Sequence, residues 1–162
     1  MENKTIKPLI FETYLAMVEN STDSHMFQVG YTEVDGEKED IMKGGELSCA
    51  FYVSSILSIF NLIDGIHATV KSTVREMKKA GWIETDKISP GCVVVWEEKE
   101  QLKWGLHIHI GFYIGNDKAV SNNPTGTTPY QHHYTFGIKD GGDPERKIDT
   151  IYYLPEFMAR ND

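Results

Sequence analysis

Apolar positions recur at helical spacing through the first half of the chain and alternate through the second. Ile10, Tyr14 and Met17 share one face and Pro8 suits a first helical turn, which predicts an amphipathic helix over residues 8–20. Residues 21–46 show no such period. Their glycines (Gly30, Gly36, Gly44, Gly45) and the run Glu37-Lys38-Glu39-Asp40 read as irregular chain. A second helix is predicted from Cys49 to Ile63, with Ser48 as its N-cap, Val53, Ile56, Leu57 and Phe60 as its buried stripe, and Gly65 as its stop. A third follows Thr69. There Val70, Val74 and Met77 share a face, Lys78 and Lys79 complement the C-terminal dipole, and Gly81 stands at the usual end position.

From Pro90 the period shortens. Cys92-Val93-Val94-Val95-Trp96 is a continuously apolar strand of the kind that fills a sheet centre, and Glu97 to Lys103 reads as a charged connection. In the stretch from His107 to Ile114, Ile108, Ile110, Phe112 and Ile114 take one face, and His107, His109, Gly111 and Tyr113 the other. Gly115-Asn116-Asp117 turns the chain into Lys118-Ala119-Val120-Ser121, a hairpin. Residues 122–146 are rich in Gly, Pro, Asn and Thr yet hold Tyr130, His132, His133, Tyr134 and Phe136, which predicts an ordered flap. Ile148 to Leu154 reads as a last strand closed by Pro155. The whole, residues 1–162, is expected to be one domain with its core at about 44–155.

Charge and cysteine usage narrow the function. A net charge of −8 argues against a nucleic-acid or anionic-membrane partner, both of which demand a basic surface, so neither is expected. Cys49 and Cys92 fall on different elements with no metal-ligand spacing, so neither a disulfide scaffold nor a zinc knuckle is expected. The segment Met1-Glu2-Asn3-Lys4-Thr5-Ile6-Lys7-Pro8 lacks the apolar core of a secretory signal. A cytoplasmic location is expected, with lysis or a trimmed leader as the routes by which such a protein would leave.

Cys49 carries the chemistry. It opens a helix after Gly44-Gly45, where unpaired backbone NH groups and the helix dipole favour a thiolate and its own NH can help bind an oxyanion. Cys92 has no helix terminus and reads as structural. His109, which opens a strand, is the candidate base, and His107 lies on the same strand face roughly 6–7 Å away along the backbone. Gly111, on that face, leaves room for the helix N-terminus to approach the strand. Ser121 and Asn122 follow the hairpin turn and are both candidates to orient the imidazole. A metal site built from His107, His109, His132 and His133 is the rival reading; it lacks a carboxylate at ligand spacing, so no metal and no cofactor are expected.

Three segments in order resemble the NlpC/P60 and CHAP group of papain-like cysteine peptidases and amidases. They are the Gly-Gly loop leading into Ser48-Cys49, Pro90-Gly91-Cys92-Val93-Val94-Val95-Trp96, and His109-Ile110-Gly111-Phe112-Tyr113-Ile114-Gly115-Asn116. The family pattern is Asp-Cys-Ser-Gly, then Pro-Gly-Asp-hydrophobic, then His-hydrophobic-Gly-hydrophobic-Tyr-hydrophobic-Gly. Here Ser48 replaces the Asp, Ala50 and Phe51 replace Ser-Gly, and Cys92 replaces the second Asp. The resemblance implies an α+β papain-like fold, N-terminal helices with the nucleophile helix packed on a small antiparallel sheet. It implies Cys49 as nucleophile, His109 as base and a polar third residue one strand later, at Ser121 by register or Asn122 by chemistry. It also implies a peptide or glycopeptide substrate, an amide bond of the kind found in bacterial cell-wall peptides. Gly45, Ser48, His107, Tyr130, His132 and His133 are the expected substrate contacts. A catalytically silent module that keeps the groove is the alternative.

Overall fold

A computed structural model describes residues 4–101 and 103–159. Residues 1–3, with which the segment read above for a secretory signal begins, lie outside that description, as do Leu102 and residues 160–162. Helix α1 (Ile10–Asn20) buries Tyr14 and Val18, and the Tyr14 hydroxyl donates to the Gly91 carbonyl at 3.0 Å. After a single 3-10 turn the chain forms an exposed hairpin, β1 (Tyr31–Val34) and β2 (Glu37–Asp40). Helix α2 (Cys49–Ile59) is the central helix, and Thr69 caps α3 (Val70–Lys79) by accepting from the Ser72 NH. The strands β3 (Ile83–Thr85), β4 (Val93–Gln101), β5 (Gly105–Gly115), β6 (Lys118–Asn122), β7 (Pro129–His133) and β8 (Ile148–Tyr153) follow. The short helix α4 (Pro155–Met158) starts at the proline expected only to end a strand.

This overturns the expected helix-plus-sheet architecture of papain-like type. Among the described residues eight strands form two antiparallel sheets, one of two strands and one of six in the order β3-β8-β4-β5-β6-β7, against four short helices. The fold is β-rich. The extra strands lie in stretches without apolar alternation. Residues 31–40 are a solvent-exposed hairpin and not irregular chain. Glu97–Gln101 is the protruding half of β4 and not a connection, and β7 runs through the segment expected to be a flap, pairing with β6 along its length. Such strands are defined by their ladder partners, since a strand with no buried face needs no hydrophobic pattern. Helix α2 also stops at Ile59, four residues before the expected end, with Phe60 at its C-cap.

The six-stranded sheet separates two apolar layers. Val93, Val95, Ile110, Phe112 and Val120 pack with Tyr52, Val53, Ile56 and Leu57 of α2 and with Tyr14 of α1. On the opposite face Val94, Trp96, Tyr113 and Ala119 are covered by Tyr134 and Phe136 from the chain between β7 and β8 and by Ile148 at the start of β8. The Trp96 indole pins that cover by donating to the Tyr134 carbonyl at 2.7 Å. Among the described residues no helix is long and apolar enough to cross a membrane.

Candidate active site

The loop before α2 is held from three sides. Asp40 Oδ1 accepts from the backbone NH of Gly30 at 3.0 Å and of Met42 at 2.9 Å, and Oδ2 accepts from Gly44 at 2.7 Å. Glu46 accepts from Lys103 at 2.8 Å and from the Trp104 indole at 2.7 Å, which ties the β4–β5 turn to the same loop. Asn122 Nδ2 donates to the Gly45 carbonyl at 2.6 Å. Gly45 sits at φ +102, and a side chain there would strike the Thr127 carbonyl, so loop and β6–β7 turn are in close contact. Four residues later Cys49 opens α2.

Ser48 does not cap the helix with its side chain, contrary to the sequence expectation. It is fully buried and its Oγ has no hydrogen-bond partner among the described residues, and the same is true of Asn122 Oδ1. The Cys49 thiol, 6% exposed, is pushed up to about 11 by burial. The NH groups of Ile110, Ala50 and Cys49 itself, and the charge of Arg146, act the other way. The thiol therefore rests neutral, surrounded by donors that would stabilise the charge once formed. A cavity of about 530 Å³ opens beside it, lined among others by Leu47, Val70, Leu106, His107 and Ile108.

Cys49 meets β5 at Ile110, the residue after His109. Successive strand residues point to opposite faces, so the His109 imidazole stands on the other side of β5 from the α2 layer. The β5–β6 ladder begins at the Gly111–Ser121 pair, which leaves the flank of β5 at His109 and Ile110 open on that side. Gly111 serves this far face and not the approach of the helix: a Cβ there would lie 2.6 Å from Ser121 Cβ and 3.0 Å from Trp96 Cζ3.

His109, 3% exposed, is the start of a chain of hydrogen bonds. Its Nε2 lies 2.9 Å from Ser121 Oγ, and Ser121 Oγ lies 2.7 Å from His132 Nε2. His132 Nδ1 lies 2.7 Å from the His133 carbonyl. A carbonyl only accepts, so His132 carries its proton on Nδ1 and its Nε2 accepts from the Ser121 hydroxyl. Ser121 has then given its one proton and accepts from His109. The proton of neutral His109 is thus on Nε2, and Nδ1 is left as a bare lone pair. Burial, followed by the charge of Arg146 and the neighbouring His132 and His107, holds His109 well below the usual histidine range. Burial likewise brings His132 down to about 4.

Of the two candidates for orienting residue, Ser121 is on His109 and Asn122 is on the Gly45 loop. Tyr130 and His132 belong to β7 and pack against each other at 4.7 Å, and His132 stacks on Phe136 at 4.1 Å. His133 Nδ1 accepts from Thr135. His109, His132 and His133 thus each commit a ring nitrogen to a protein partner.

Sequence reasoning missed His132 as a hydrogen-bond partner and missed Arg146 altogether. Arg146 is 7% exposed, donates through Nε and Nη2 to the Glu97 carbonyl at 3.0 and 2.8 Å, and donates to the His107 carbonyl at 2.7 Å. It lines a second cavity of about 270 Å³ together with His109, Tyr130 and Phe136. Comparison of the sequence with family models and with curated proteins finds no match.

Proposed function

We propose that the protein is a cysteine hydrolase that cleaves a peptide or amide bond, with Cys49 as nucleophile and His109 as base. The observation that carries this reading is the chain His109–Ser121–His132–His133, which leaves Nδ1 of His109 unprotonated in a buried site one residue from the backbone that contacts Cys49. A neutral thiol and a neutral, oriented imidazole are the starting state of general-base catalysis, as distinct from a preformed ion pair, and the two would meet around the open flank of β5 at His109 and Ile110. Cys49 Sγ attacks the amide carbonyl as its proton passes to His109 Nδ1. The C–N bond then breaks, His109 returns that proton to the leaving amine, and water hydrolyses the resulting thioester. The unpaired NH groups at the start of α2 stabilise the oxyanion.

The ordered motifs shared with NlpC/P60 and CHAP enzymes support a cell-wall peptide as substrate. They bear on the chemistry of Cys49 and His109, while the sheet-rich architecture stands apart from that family's expected fold. Burial of Cys49 with its thiol near 11 favours a second reading, a catalytically silent binding module. Acyl transfer separates the two. On incubation with p-nitrophenyl acetate, peptide mass mapping should find an acetyl thioester on Cys49 that turns over and is absent from Cys49→Ser. Failure to acylate Cys49 in the folded protein would support the silent module.

A further inference from the structure

Arg146 is a buried cation that makes no ion pair at contact distance, although the carboxylate of Glu97 acts on it from farther off. No ion pair among the described residues includes it, although the chain carries 24 acidic residues against 16 basic ones. Buried charges are ordinarily paired, because leaving one alone in a low-dielectric interior is costly. Its hydrogen bonds go to backbone carbonyls through Nε and Nη2 only. Nη1 has no acceptor among the described residues, and Arg146 lines a cavity together with His109.

Gln101 also lines this cavity, but its Oε1 is a fully buried acceptor without a donor among the described residues and does not open on the chamber. Lys99 and Glu100, both exposed at the rim, offset each other. The planar guanidinium is then the charged group of the chamber, and the anion that matches its fork is a carboxylate. Tyr130 and Phe136 supply apolar walls, and the Arg146 guanidinium lies 5.8 Å over the Phe136 ring.

We infer that this chamber binds the free carboxylate of the residue on the leaving-amine side of the scissile bond, with Arg146 as its anchor, so that the substrate is a peptide cut next to its carboxyl terminus. The side is assigned by chemistry: the chamber belongs to His109, which protonates the departing amine, whereas Cys49, which keeps the acyl group, opens on the larger cavity lined by Leu106 and Ile108. The arrangement also couples binding to activation. Burial and the charge of Arg146 keep His109 neutral in the empty site. A carboxylate on Arg146 cancels part of that repulsion and lets the imidazole accept the thiol proton.

The inference rests on the hydrolase reading for which side of the bond the carboxylate occupies, and its test reads binding and not turnover. Full-length protein labelled on arginine and histidine is titrated with N-acetylglycine and, separately, N-acetylglycinamide, following the Arg146 Nε–H and His109 ring resonances. The acid should give saturable shifts at both residues, and the amide should bind at least tenfold more weakly. Arg146→Lys keeps the charge and loses the planar fork, and should weaken binding of the acid; if that variant does not fold, the acid-against-amide contrast in the wild type decides alone. Equal binding of the two probes, or no saturable shift with the acid, overturns the carboxylate site. Failure of the wild-type Cys49 to acylate while the acid still binds would fail the hydrolase reading and leave the anion site standing.

Discussion

His109 and Ser121 are joined at 2.9 Å across neighbouring strands, and the direction of that bond is set by a carbonyl two links away, that of His133. The serine hydroxyl is therefore a relay whose one proton is already given to His132. Nitrogen chemical shifts of the two imidazoles should show His109 protonated at Nε2 and His132 at Nδ1 in the resting protein. Ser121→Ala should release the His109 tautomer, leave His132 protonated at Nδ1 on the His133 carbonyl, and destabilise the fold by roughly 1–3 kcal/mol, since two buried ring nitrogens lose their partner. An unchanged His109 tautomer in that variant would show that the serine does not set it.

The buried histidines make stability fall with acid. Both His109 and His132 have folded pKa values below the ordinary value of about 6.5, so below that pH the unfolded chain binds more protons than the folded one. Stability is fully present above about pH 6.5 and is lost as the pH drops towards about 4, where His132 itself titrates. The His132 shift alone corresponds to about 3 kcal/mol. Urea melts at a series of pH values check this, and His132→Phe should flatten the acid limb. A fold equally stable at pH 7 and pH 4.5 would contradict it.

Gly111 is expected to be the least replaceable glycine of the sheet. A methyl there would lie 2.7 Å from the Val120 carbonyl and 2.6 Å from Ser121 Cβ, forcing apart the strand pair that aligns His109 with Ser121. Gly111→Ala should cost about 1–3 kcal/mol by overpacking. Gly141, where an added Cβ would meet nothing within 4 Å, is the control and should stay within about 0.5 kcal/mol. Denaturation midpoints of the two variants provide the comparison.

What could be read from the sequence follows from which residues have a buried face. Helices α1 and α3, the start of α2, and the β5–β6 hairpin each present apolar residues at their own period, and the structure forms them where that period lies. The β1–β2 hairpin, all but exposed, and the Glu97–Gln101 half of β4 have no such face, so their strand character comes from partners distant in the chain. Alternation puts His109 and Gly111 together, but cannot say which face a helix covers; the glycine makes room for Trp96 and Ser121 instead. Ser121 was accessible through hairpin register. Arg146 was not, because it stands in a loop of no periodicity and is brought in only by the return of the chain into β8.

The claim that Cys49 is a nucleophile served by His109 is tested most directly by thiol alkylation. Wild type, His109→Ala and His107→Ala are treated with iodoacetamide at neutral pH and the labelled cysteine is mapped by mass over time. Cys49 should be labelled ahead of Cys92, with His109→Ala slowing it on the order of tenfold or more and His107→Ala leaving it near the wild-type rate. Labelling of Cys92 first, or a Cys49 rate that is the same with and without the His109 imidazole, would contradict the account.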